Sequence, residues 1–237
     1  MADLLVEHTT HVPSVKSRAV IRHLDTLEPE AAADELLALG KICDAVACVC
    51  IDHPLINYAV DQLSNQGIPV VPMVSGLSTT DYSVYLGSND WQLGRDRRLV
   101  HEKALPAGRQ GRPMLTGSEH YVCQQAHEAS FRMYLRSNAP DLELLETEMT
   151  GETDELAKEM VSLILKRHPD LVGILAAAGG LEGGADLLQP LGERRPALIG
   201  TELTDRTRAH LMQGNIDVVL STRFSRSRSR RYRPWST

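Results

Sequence analysis

Aromatic residues are nearly missing from this chain of 237 residues, which has two Phe, two Trp and six Tyr. A core must therefore be built from Leu, Val, Ile and Ala. Long hydrophobic runs are missing too. Nothing approaches the roughly 18 consecutive apolar residues that span a bilayer, so no membrane segment is expected. The opening MADLLVEHTTHVPSVK lacks a basic start followed by an apolar stretch, and a secretory signal is not expected.

Cysteine is scarce and badly spaced for metal. Cys43, Cys48 and Cys50 fall in or beside one apolar run, KICDAVACVCI, and Cys123 stands apart. A zinc site needs a C-x2-C type spacing and a second ligand pair, and neither is present. Small core residues in a reducing compartment are the better reading, which places the protein in the cytoplasm. Catalytic signatures are absent as well. There is no G-x-S-x-G elbow, no Walker phosphate loop and no H-E-x-x-H, and the histidines are scattered. The glycines of AAAGGLEGG have no register for a dinucleotide turn. No catalytic residue, metal or cofactor is expected, and the chain reads as a binding protein, not an enzyme.

The formal net charge of -6 conceals an asymmetry. Residues 223–237 hold six Arg and no acid, which leaves 19 basic residues against 31 acidic ones elsewhere, a balance of -12. An acidic body offers no footprint for nucleic acid. The Arg/Ser tail, residues 222–237, is expected to be disordered.

What is there is an alternation of short apolar segments with helical periodicity. Strands are expected at 19–24, 44–52, 68–76, 84–88, 112–118, 142–151, 171–180, 196–203 and 215–221. Helices are expected at 29–40, 54–67, 119–138, 153–167, 181–192 and 204–213. Strands that are apolar throughout indicate parallel sheets buried on both faces. The stretch 95–112 fits poorly, because its charges leave no apolar stripe and Pro106 and Gly108 interrupt it.

In a doubly wound sheet, ligands bind beyond the carboxyl ends of the strands. Residues there include Asp52-His53, Ser75-Gly76, Ser88-Asn89-Asp90, Gly117-Ser118, Ala178-Gly179-Gly180 and Thr201-Glu202. Carboxylates, amides, hydroxyls and glycines suit hydrogen bonding to a polyol. Trp91 could face a sugar ring, and His53 and His127 are placed as binding residues rather than bases. Each residue taken alone also fits an ordinary turn or helix cap.

The block GIPVVPMVSGLSTTDYSVYLGSNDWQLGR resembles the LacI/GalR regulators and the related type I periplasmic sugar-binding proteins, with an apolar strand, a polar loop, Tyr-x-Gly, and an Asn-Asp pair leading to Gly-Arg. LTGSEHYVCQQAHEASFRMYL, HPDLVGILAAAGGLEGG and LIGTELTDRTRAHLMQGNIDVVLS follow in the family's order, so the resemblance covers residues 19–93 and 114–221. It implies a periplasmic-binding-protein-like type I α/β fold, two Rossmann-like lobes with parallel sheets and a ligand cleft between them. The lobes are expected at 1–89 and 90–221.

By position, the resemblance makes Asp52, His53, Ser75, Asn89, Asp90, Tyr121, Gly179 and Glu202 ligand-facing, with Glu202 where the family has an Asp that grips sugar hydroxyls. His127 replaces an Arg that clamps the ligand in many members, and Gly76 replaces a common Asp; Thr222 lies near a position that is often Gln. The implied function is the sugar- or polyol-binding effector domain of a homodimeric LacI-type regulator. Operator DNA would be read only through a helix-turn-helix that this sequence does not contain. The alternative is a periplasmic-type sugar receptor for transport. The absent helix-turn-helix, the odd stretch 95–112 and the Arg/Ser tail in place of closing strands suggest a truncated or frame-shifted reading frame.

Overall fold

The computed structural model describes residues 17–24, 26–91, 114–117, 119–140 and 144–220. The stretch 95–112, Ser118, Thr222 and the Arg/Ser tail lie outside the described residues. The chain divides into two compact units, one running to Gly87 and including His120–Val122, the other formed by Ser88–Glu119 and Cys123 onward. Among the described residues, no helix is long and apolar enough to cross a membrane.

The first unit begins with α1 (Pro29–Gly40), where Pro29 occupies the first turn, in which its missing N–H costs nothing. Ala32, Ala33 and Leu36 form its buried stripe. β1 (Val46–Cys48) leads to α2 (Pro54–Asn65), which buries Ile56, Ala59, Val60 and Leu63 at helical spacing. Gly67, at φ 77°, then turns the chain into β2 (Val70–Pro72). β2 pairs with β1 in parallel, Val46 opposite Val70. The two helices meet at Gly40, where a Cβ would stand 2.1 Å from Leu63 Cδ2.

The second unit is a five-stranded parallel sheet in the order β4-β3-β5-β6-β7. Its strands are β3 (Met114–Gly117), β4 (Glu148–Met149), β5 (Gly173–Ala176), β6 (Ala197–Thr201) and β7 (Val218–Leu220). Its helices are α3 (Val122–Asn138), α4 (Asp154–Arg167), α5 (Leu181–Leu188) and α6 (Asp205–Met212), with a 3-10 turn at Gln189–Arg194. All four residues of β5 are buried. Its alternate side chains serve two cores: Ile174 and Ala176 pack with Val161, Ile164, Leu181 and Leu188, and Leu175 packs with Phe131 and Leu135. Both faces are thus covered by helices, as continuous apolar strands require.

Several expectations change, and among the described residues the strand expected at 142–151 contracts to β4, Glu148–Met149. Residues 19–24 form no strand; Ala19, Val20 and Ile21 are half-buried and Leu24 is exposed, and Arg22 Nε instead reaches Glu35 Oε1 on α1 at 3.1 Å. The expected strand at 84–88 reduces to one bridge, Met73 to Leu86. The helix expected to reach 192 stops at Leu188, because Pro190 and the non-helical Gly192 impose the 3-10 turn.

Candidate ligand-binding site

In the first unit, Asp52 follows β1 and its carboxylate is heavily engaged. Oδ1 accepts from Asn57 Nδ2 at 2.9 Å and from the Ser78 amide at 2.9 Å. Oδ2 accepts from the Ser78 hydroxyl. Partial burial by itself would raise the Asp52 pKa, but the Ser78 hydroxyl and amide, Asn57 and the nearby His53 together hold it below the usual carboxylate range. Asp52 therefore ties the loop after β2 to the first turn of α2. His53 caps α2, its Nδ1 accepting from the Leu55 amide at 3.3 Å. Ser75 is 1% exposed, and its amide closes a tight turn onto Met73 O at 2.7 Å. Tyr121 is half-buried against the apolar core of this unit.

In the second unit, the structure brings Asp90 and His127 together. Asp90 Oδ1 lies 3.2 Å from His127 Nε2 and accepts from Ser88 Oγ at 3.0 Å. Both partners are largely buried. Asn89 and Trp91 instead face a cavity of about 440 Å³ walled by one side of α3, including Ser130, Met133, Tyr134 and Asn138. Trp91 is 54% exposed there.

The order of the sheet reverses between β3 and β5, which makes the crevice beyond their carboxyl ends the switch point of this unit. Gly179 sits there with both backbone groups occupied. Its amide donates to Glu152 Oε2 at 2.7 Å, and its carbonyl accepts from Thr150 Oγ1 at 2.9 Å. Gln124 Nε2 holds the other Glu152 oxygen at 2.8 Å. Glu202 is exposed just beyond β6. Glu152 and Gln124 were not among the residues singled out from sequence. The signal was Gly151-Glu152, a turn followed at once by the Thr153 cap of α4.

Backbone strain concentrates at the same edges. Among the described residues, the non-glycine positions with positive φ are Val74 (67°), Glu152 (63°) and Glu202 (74°), and each follows a strand. Such a residue costs on the order of 1–2 kcal/mol and persists only where its neighbours fix it. Val74 is fixed by its amide bond to Leu86 O at 2.9 Å and by the Tyr85 hydroxyl donating to its carbonyl at 2.8 Å. Glu202 donates to Leu220 O at 3.1 Å and accepts from Thr207 Oγ1 at 2.9 Å.

Among the described residues, no group of three or more His, Cys, Asp or Glu side chains could hold a metal ion. Cys48 and Cys50 are free and buried. A hydrogen bond between their thiols, with burial, keeps Cys48 protonated well above the ordinary thiol range. The strand-end chemistry is thus carboxylate, amide and hydroxyl, which can pair with a hydroxyl-rich ligand.

Comparison with known proteins agrees in fold. A solute-binding protein of an ABC transporter from Agrobacterium vitis with bound D-fucose superposes with a TM-score of 0.76 at 18% identity, covering 90% of this chain and 77% of the other. A second, from Burkholderia graminis in complex with D-arabinose, gives 0.72 at 21% identity over 80% and 67%. GanP, a glucose-galactose binding protein from Geobacillus stearothermophilus, gives 0.68 at 21% identity over 83% and 80%. No curated protein matches the chain. The Periplasmic binding protein domain family matches residues 23–225. The chain belongs to that family, and its parallel α/β units have the periplasmic-binding-protein-like fold.

Proposed function

We propose that this chain binds a monosaccharide or sugar-like polyol at the carboxyl ends of its parallel strands, as a solute receptor of the transport type. The observation that carries this reading is the strand-end chemistry itself. Carboxylates, amides and hydroxyls stand at the strand ends of each unit, beside the strained positions Val74, Glu152 and Glu202. The similar solute-binding proteins with D-fucose and D-arabinose add the sugar class and the transport role. Asp52, His53, Ser75, Asn89, Asp90, Trp91, Tyr121, His127, Gly179 and Glu202 remain the candidate set. Ser75 and Gly179 would act by shaping loops, whereas Asn89, Trp91 and Glu202 present exposed groups.

A LacI-type regulator's effector domain is the second reading. It is favoured by the buried cysteines Cys48 and Cys50, residue types that suit a reducing compartment. That reading carries a cytoplasmic location and a homodimer; the receptor reading carries export. Cell fractionation with sedimentation of the purified protein separates them: an exported monomer supports the receptor, a cytoplasmic dimer the regulator.

The binding claim is tested by a thermal-shift screen over aldopentoses, aldohexoses, 6-deoxyhexoses and polyols. A ligand at 100 times its Kd stabilises by about 2.7 kcal/mol, a shift of roughly 5–10 °C at this chain length. A flat panel would contradict it. Recovery of the hit sugar unchanged after long incubation is the expected sign of binding without turnover.

A further inference from the structure

We propose that Glu152, oriented by Gln124 and Gly179, is a hydroxyl-binding carboxylate of the sugar site at the switch point of the second unit. The proposal rests on the sugar-binding reading above and assigns a residue outside the candidate set.

Position is the first argument. Glu152 lies on the loop between β4 and α4, hydrogen-bonded to the loop that follows β5. That crevice is where a doubly wound sheet receives its ligand.

The second argument is the effort spent on holding the side chain. Gly151 and Glu152 both adopt left-handed backbone, φ 54° and 63°. Oε1 is fixed by Gln124 from α3, and Oε2 by the Gly179 amide. A Cβ on Gly179 would meet Glu152 Oε2 at 2.7 Å and its carbonyl oxygen at 2.9 Å, so only glycine lets the carboxylate lie where it does. Thr150 Oγ1 locks the Gly179 carbonyl from the other side.

Acceptor capacity is the third argument. An ionised carboxylate offers about four lone-pair directions. The two bonds above use one on each oxygen and leave one on each. Those directions lie in the carboxylate plane, where hydroxyls of a polyol can donate to them. Glu152 is half-buried, so such bonds would form partly out of water while the ligand could still reach them. Hydrogen bonds to an ionised acceptor are roughly twice as strong as neutral ones.

A loop pin without ligand contact would look similar in the free protein, so the test separates the two roles. The full chain, wild type and Glu152→Gln, is titrated calorimetrically with the sugar found by the panel and with its monodeoxy analogues. Melting is recorded without ligand. The expected result is a Kd raised about 10-fold or more in the variant, with a ligand-free melting point within a few degrees of wild type. The wild-type penalty for removing a hydroxyl that donates to the carboxylate should also collapse to within twofold in the variant. Glu152→Asp, which keeps the charge, should recover part of the affinity. If wild type binds sugar and Glu152→Gln binds it equally, or keeps the same deoxy-sugar discrimination, this assignment is wrong and the sugar-binding reading stands. If wild type binds no sugar, both fall.

Discussion

Asp52 shows how one side chain can fix the loops around a strand end. Its carboxylate closes the loop after β2 onto α2, and its hydrogen bonds outweigh the burial that would raise its pKa. A carboxyl with a depressed folded pKa contributes stability above its unfolded value, near 3.8, and that contribution is lost as pH falls through the folded value. Asp154, buried to a similar degree but bonded by Arg206 and the Gly183 amide, is depressed in the same direction. Chemical denaturation of Asp52→Asn against wild type should therefore show the gap in stability present at pH 6 and narrowing below pH ~4. An equal gap at both pH values would mean that charge is not what the loop requires. Gly179→Ala is expected to cost about 1–3 kcal/mol, because the added methyl must displace Glu152 or its backbone. Urea denaturation measures that cost, and a neutral variant would show the crevice to be softer than its contacts imply. Asn89 and Trp91 could be picked out because they follow the strand expected at 84–88, of which one bridge, Met73 to Leu86, is formed. Glu152 follows the expected strand 142–151 as well, but what marks it out is its left-handed backbone and its bonds to Gly179 and Gln124, which the sequence alone does not display.

Elements were legible in proportion to how locally they are determined. α1 has the bounds its Pro29 and Gly40 announce, since a proline start and a glycine stop act within the chain itself. Thr153 caps α4 through the Leu156 amide at 3.3 Å, and Thr204 and Thr207 form a reciprocal box at the start of α6. Strand lengths depend instead on what lies alongside. Among the described residues, β4 pairs with β3 through Thr116–Glu148 and Gly117–Met149, and 144–147 of the strand expected at 142–151 lie outside it. The apolar segment 19–24 has the composition of a strand, yet the described residues give it no neighbour to pair with. Two measurements separate local from tertiary support. Thr153→Ala should lose about 1 kcal/mol, the usual worth of an N-cap. Phe131→Ala should lose about 3–5 kcal/mol, because Phe131 is 1% exposed and anchors α3 on Leu175. Denaturant midpoints that reversed this order would mean the sheet's second face is held by something other than α3.

At the scale of the molecule, two compact α/β units each carry their own apolar core and their own strand-end loops. That architecture follows from strands apolar along their whole length, and membership of the periplasmic binding protein domain family agrees with it. The choice of ligand is written in far fewer atoms than the fold, which is why relatives at about 20% identity share the architecture. Calorimetric titration of the full chain with the sugar that shifts its melting most tests the central claim directly. The account predicts one saturable site, weakened at least tenfold by Glu152→Gln. Absence of binding across pentoses, hexoses and polyols by a cooperatively folded protein would contradict it.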